Sequence, residues 1–291
     1  MGSRPPDEPT GGAVELLTNR ALAQLHATGD HPERQARLLV LEGETVERQA
    51  TREQLARVHD SSYLDLLQGV DRTLQLDADT VCTPTSWEAA TLAAGITLEA
   101  VDRGGFALVR PPGHHALAAR AMGFCLVNNI AVAARYAQAE LGLARIAIVD
   151  FDVHHGNGTD ELFRGDDTVF FVSLHQWPFW PGTGGPQTSD DSTLNLPLPA
   201  GSGDEVYRLV FETSVEPAVH AFRPDLVLVS AGFDAHERDP LAQMEVSEEG
   251  FRELAGRCAS LGPRVAAVLE GGYNLETLPG LVAAARRGFS G

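Results

Sequence analysis

The sequence predicts a single-domain α/β fold of three layers, a central, mostly parallel sheet with helices on both faces. Three observations predict it: short, continuously apolar runs recur along the chain, helix-forming stretches alternate with them, and a polar cluster directly follows each run. The runs are GGFALV at 104–109, RIAIVD at 145–150, TVFFVS at 168–173, DLVLVS at 225–230 and RVAAVL at 264–269. None alternates between apolar and polar, so each reads as a strand buried on both sides. Stretches rich in Ala, Leu and Glu at 87–102, 129–141, 204–222 and 247–261 supply the helices. The opening MGSRPPDEPTGG is polar and rich in Pro and Gly, so residues 1–12 are expected to form a flexible tail before a single domain at 13–291.

Composition narrows the function classes. The 291 residues are 43% hydrophobic, enough for one large core, and carry 22 Lys and Arg against 40 Asp and Glu, a net charge of −18. A nucleic-acid partner is not expected, because a phosphate backbone rewards clustered positive charge. Cys82, Cys125 and Cys258 are odd in number and widely spaced, which fits neither a disulfide framework nor a cysteine zinc knuckle and suits a reducing compartment. No apolar run approaches the roughly 20 residues of a membrane helix, and no signal peptide opens the chain, so a cytoplasmic location without a membrane partner is expected.

The chemistry lies in the clusters RPPGHHA, DFDVHHGNGT, SLHQWPFWPGTGG, SAGFDAH and EGGYN, which follow or extend the five strands in turn. In open parallel sheets the strand ends converge on one crevice, so these segments should meet. Asp150, Asp152 and His154 are spaced by two, which in an extended segment directs all three to one side. Carboxylate and imidazole suit zinc, and Asp234, just past SAGF, completes the set Asp152, His154 and Asp234 with one position left open for water. The adjacent His114 and His115 suit proton transfer beside a metal, one of them held by Asp150. Gly271 and Gly272 permit a tight turn that brings the Tyr273 phenol toward the metal as a donor to an oxyanion. Isolated acids and histidines more often cap helices or fill space, but here two of each fall within six residues at a strand end.

These motifs, with GFCLVNN at 123–129, occur in the order found in the histone deacetylase family, which the chain resembles from His31-Pro32-Glu33 to beyond Tyr273. EGGYN and Asn157 look more like class II and its bacterial amidohydrolase relatives than class I. The resemblance implies the arginase/deacetylase fold and a zinc-dependent deacylase acting on acyl-lysine in a peptide or on a small acylated amine. It implies that Asp152, His154 and Asp234 hold zinc, that His115 is general base and then acid, that His114 assists electrostatically and that Tyr273 polarises the carbonyl. Gly123, Phe124 and Trp180 match the walls of the family's acyl-lysine tunnel, Gly272 and Leu241 match substrate-binding positions, and Arg37 matches an arginine of the product cavity, although Gln35 replaces a frequent proline. Structural potassium is also implied, at an inner site of Asp150, Asp152, His154, Ser173 and Leu174 and an outer one of Phe163, Asp166 and Val169.

Three other readings compete. An acetylpolyamine amidohydrolase would use the same machinery behind an acidic rim. Here Glu237 and Asp239 are acidic, but apolar Leu241 stands where a selective carboxylate is sought. A catalytically silent acyl-lysine binder would have lost a ligand, a histidine or the tyrosine, and all are present. An arginase-like dimanganese hydrolase would show Asp-x-His-x-Asp, where this chain has Asp-x-Asp-x-His.

Overall fold

The computed structural model describes residues 13–291, so the tail expected over 1–12 lies outside the described residues. Among the described residues ten strands are formed: β1 (Leu16–Thr18), β2 (Glu44–Thr45), β3 (Leu74–Gln75), β4 (Val81–Cys82), β5 (Phe106–Leu108), β6 (Ile146–Asp150), β7 (Val169–Gln176), β8 (Thr193–Leu198), β9 (Leu226–Ala231) and β10 (Val265–Leu269). Eight make one sheet in the order β2-β1-β5-β10-β9-β6-β7-β8, with every neighbouring pair parallel; β3 and β4 form a separate antiparallel pair. The five expected strands are therefore the sheet's centre, β5, β10, β9, β6 and β7.

Period-two alternation in these strands sends side chains to two different cores, the signature of a sheet covered on both faces. Ile146, Ile148, Leu226, Leu228 and Val268 pack with the helices Ser86–Arg103 and Asn129–Leu141, while Ala147, Val149, Val227, Val229 and Leu269 pack with Glu248–Ser260 and Leu278–Phe289. The helix Ser86–Arg103 is buried along most of its length, which is why its sequence is apolar nearly all round. It stops where Gly104 takes the left-handed φ of 65°. Asn129–Leu141 starts where the Asn128 side chain accepts the Ala131 N–H, and Glu248–Ser260 where Ser247 accepts that of Gly250. The expected helix at 204–222 forms with a π-helical turn at Phe211–Val215 between two α-helical segments. Among the described residues no helix is long and apolar enough to cross a membrane.

Strand register places the chemistry. Asp150, the last residue of β6, pairs with Ser173 on β7 and Ser230 on β9, and Leu269 at the end of β10 pairs with Ala231. The segments after β5, β6, β9 and β10 therefore leave the sheet at one level along its carboxyl edge.

Candidate active site

Asp152, His154 and Asp234 converge, with potential ligand atoms all within 4.8 Å of one another. The convergence does not come from a continuing strand, as the spacing by two suggests, because β6 ends at Asp150. Instead the chain turns twice on its own carboxylates: the Asp152 N–H donates to Asp150 Oδ1 (3.0 Å) and the His154 N–H to Asp152 Oδ1 (2.9 Å). His154 Nδ1 then lies 3.1 Å from Asp152 Oδ1 and 3.1 Å from Asp234 Oδ2. The other oxygen of each acid is pinned by backbone: Gly271 N–H donates to Asp152 Oδ2 (2.8 Å) and Val153 N–H to Asp234 Oδ1 (3.0 Å). A Cβ at Gly271 would overlap both carboxylates, so glycine is required for this approach.

The electrostatics of the cluster invite a cation. Burial, then the neighbouring Asp152 charge, raises the Asp234 carboxyl above its ordinary value. Burial works against a charged His154, yet the two carboxylates outweigh it and lift the ring to about 10. Two buried acids share one imidazole, which leaves surplus negative charge away from water. Three converging donors of oxygen and nitrogen type, the two carboxylates each oriented by a backbone N–H behind it, fit a divalent ion such as zinc.

The paired histidines have different partners. His114 Nδ1 lies 2.9 Å from Asp150 Oδ2, the carboxylate expected to hold one of the pair, whereas His115 Nδ1 lies 2.8 Å from Asn157 Oδ1. Burial opposes charge on His114, but Asp150 and Asp152 overcome it and raise the ring to about 10. His115 is held well below its ordinary value by burial and then by the adjacent His114 and His154 charges. One ring is thus set to be imidazolium and its neighbour, 3.9 Å away between centroids, to be neutral. Because Asn157 presents an oxygen, His115 carries its proton on Nδ1 and keeps Nε2 as the acceptor. The Pro-Gly-His-His turn is itself held by Glu270, whose Oε2 accepts the N–H groups of Gly113 (2.7 Å) and His114 (3.2 Å).

Aromatic groups crowd the same place. Trp180, 40% exposed, stands edge-on to His115 at 4.7 Å, and Phe179 stacks on His154 at 5.3 Å. Gly123 (φ 57°) leaves the space between them: a Cβ there would come within 2.5 Å of the Trp180 ring and 2.6 Å of His115. Phe124 also takes a positive φ, 69°, a conformation costly for a bulky residue and kept where the surroundings fix it. Its N–H donates to Thr80 Oγ1 (3.0 Å), and its ring meets Tyr273 edge-on at 5.9 Å. Burial holds the Tyr273 phenol well above its ordinary value despite Arg37, so it stays a protonated donor. Arg37 packs 4.8 Å from the Tyr273 ring centre, its Nε and Nη2 donating to the carbonyls of Gly272 (2.7 Å) and Glu270 (2.6 Å). Sequence reasoning missed Phe179, Thr80 and the roles of Glu270 and Asn157 as partners; the only signal was that three of the four sit inside or beside quoted motifs, Thr80 lying outside all of them.

The remaining expected residues lie around this centre. Asp150 and Ser173 are buried register neighbours, with Leu174 next to them, and the Ser173 hydroxyl also reaches His175 Nδ1 (3.0 Å). Phe163, Asp166 and Val169 occupy the turn into β7, where the Phe163 carbonyl accepts the Asp166 N–H (2.9 Å) and the Asp166 carboxylate pairs with Arg135 (2.7 Å). Leu241 is partly buried. Glu237 is exposed, but Asp239, counted with it as an acidic rim, is 8% exposed and is occupied by backbone N–H groups, which removes it from the rim.

The chain is similar to known proteins over most of its length. The histone deacetylase domain model matches residues 18–289. A rice protein named histone deacetylase 10, chloroplastic, is 43% identical over 275 residues, covering 83% of this chain and 61% of the relative. The mouse polyamine deacetylase HDAC10 is 40% identical over 260 residues, covering 79% of this chain and 39% of the relative, so the chain spans less than two thirds of both. A crystal structure of the HDA15 HD domain superposes with a TM-score of 0.90 at 33% identity, covering 97% of this chain and 89% of that one. With the family model matching residues 18–289 and a solved domain superposing over 97% of its length, the chain belongs to the histone deacetylase family.

Proposed function

We propose that residues 13–291 form one catalytic domain that hydrolyses the amide of an acylated amine, acyl-lysine in a peptide foremost. The observation that carries this reading is the buried Asp152, His154 and Asp234 cluster next to His114, held by Asp150, and His115, held by Asn157. Zinc held by those three residues would polarise the scissile carbonyl and acidify the attacking water. His115 Nε2 takes the proton from that water and returns it to the leaving amine. His114, kept charged by Asp150, stabilises the negative charge that develops nearby. Tyr273 donates its hydroxyl hydrogen to the carbonyl oxygen as it becomes an oxyanion. Gly123, Phe124, Trp180, Leu241 and Gly272 bound the acyl-bearing chain, and Arg37 lies behind the Tyr273 turn on the side assigned to product. Potassium is proposed at the inner set of Asp150, Asp152, His154, Ser173 and Leu174, with the outer turn of Phe163, Asp166 and Val169 as the second site.

A peptide is favoured over a small polyamine on two grounds. Leu241 is apolar and Asp239 is buried, so the acidic rim that would select a polyamine is reduced to Glu237. A groove of about 1060 Å³ also adjoins His115's partner Asn157, lined by Met122, Trp177 and Pro181 and by Arg120 and Arg164 as well as Asp160 and Glu161, a surface of both signs that suits a peptide segment more than a polycation. Assaying zinc-loaded protein against acetyl-lysine peptides and acetylated polyamines tests the choice; faster turnover of the polyamines would reverse it. Tyr273→Phe is expected to lower kcat about 10²–10³-fold, the usual worth of one oxyanion donor, with zinc content and melting temperature little changed. An unchanged kcat would remove Tyr273 from this role.

The Asn157 contact gives a pH prediction. His115 must be neutral to accept a proton, and its pKa lies well below 6.5, so kcat/KM should be flat through neutrality on the acid side. In Asn157→Asp a carboxylate faces Nδ1 and favours the imidazolium, so activity is lost at a higher pH, with the acid limb displaced upward by about 1–3 units. A pH profile in which the limb stays put would separate His115 from the titrating base.

A further inference from the structure

Tyr273 sits in a turn released by two glycines, and a phenol acting as an oxyanion donor must be held within a few tenths of an ångström. What fixes the backbone of Tyr273 itself is the Asp239 carboxylate. Its Oδ2 accepts the Tyr273 N–H at 2.7 Å, and its Oδ1 accepts the Leu241 N–H at 2.9 Å. Asp239 is 8% exposed, and its own N–H donates to the His236 carbonyl (2.9 Å), which anchors it to the loop after β9. Other links between the two loops exist: inside, the Phe233 N–H donates to the Gly271 carbonyl (3.1 Å), two residues short of Tyr273, and outside, Asn274 Nδ2 donates to the Arg238 carbonyl (2.7 Å) and Arg238 pairs with Glu276 across largely exposed side chains. Among the described residues only Asp239 accepts the Tyr273 N–H.

We infer that Asp239 is a positioning residue that ties the Tyr273 turn to the rim segment bearing Leu241 through one buried carboxylate. The inference rests on the deacylase reading for its consequence in turnover, and on hydrogen bonds alone for its structural part. Each backbone N–H needs an acceptor oxygen, and a carboxylate supplies two. An amide supplies one, because its nitrogen would meet the second N–H donor to donor. Asp239→Asn therefore keeps the shape and one contact while breaking the other.

The test combines kinetics with hydrogen exchange on zinc-loaded protein. Asp239→Asn is expected to lower kcat about tenfold, a part of the ~10²–10³ carried by the Tyr273 hydroxyl, with KM changed far less. In the Tyr273→Phe background the same substitution should cost less than about threefold, because the hydroxyl it positions is already gone. Amide exchange at Tyr273 or Leu241 should accelerate while that of Gly271, bound to Asp152, stays slow. Equal losses of kcat in both backgrounds, or no loss in either, would overturn the positioning role. Unchanged exchange at both amides would overturn the tether whatever the activity. If the parent hydrolyses no acylated amine but the exchange rates change as expected, the tether stands and the deacylase reading fails.

Discussion

Asp234→Ala is expected to abolish zinc retention and hydrolysis together. Asp152, His154 and Asp234 form the metal-suited cluster found among the described residues, and removing one leaves two donors, too few to hold a catalytic zinc. Asp234 is also the acid whose deletion should harm the metal-free fold least. Its carboxylate and that of Asp152 lie together in a fully buried place, and burial first, then their mutual repulsion, raises the Asp234 carboxyl above its ordinary value. Removal relieves the repulsion but orphans the Val153 N–H and leaves His154 Nδ1 with Asp152 alone, so the effects oppose each other. The melting temperature of metal-free protein should consequently change little. The parent, in contrast, should gain stability on zinc addition in proportion to occupancy, a gain the variant lacks. Elemental analysis after desalting, with melting curves at several zinc concentrations, checks both. Full occupancy in the variant would exclude Asp234 from the site.

Much of this was readable from the sequence because buried strands and site segments announce themselves differently. The five central strands are apolar on both faces and were located to within about two residues at each end, β7 apart, which runs three residues further, to Gln176. The edges were not. β1 and β2 are three and two residues long, and β8 (TLNLPL) alternates and contains Pro197, as an edge strand tolerates. The helix Leu278–Phe289 escaped because its amphipathic pattern begins at a Leu-Pro-Gly that reads as a turn. At the site, residue identities were legible but partners were not. Spacing suggested that Asp152 and His154 would share a side; it could not show that two carboxylate-capped turns do the work. The acidity of Asp239 was read as surface charge, since nothing local reveals that two backbone N–H groups, 2 and 34 residues away in sequence, fill its oxygens.

His115→Ala should leave zinc bound and lower kcat by about 10²–10⁴-fold, the range for loss of a general acid–base group. The structure separates this histidine from His114 in three ways that bear on the outcome. His115 is kept neutral by its surroundings and offers a free Nε2, whereas His114 is locked as a cation against Asp150. His115 also faces Trp180 on the open side of the site, while His114 lies on the Asp150 side, its Nε2 3.8 Å from Asp152 Oδ1. A charged ring cannot accept a proton from water, so His114 is not able to replace the missing base without first giving up its ion pair. The loss should therefore persist across neutral pH, and added imidazole, small enough to enter the vacated space, should restore part of the rate. Equal zinc content in parent and variant shows that the metal site is intact, which assigns the deficit to proton transfer. Near-normal turnover of an acetyl-lysine peptide by the Ala variant would instead give the base role to another group and would leave the neutral state of His115 without a function.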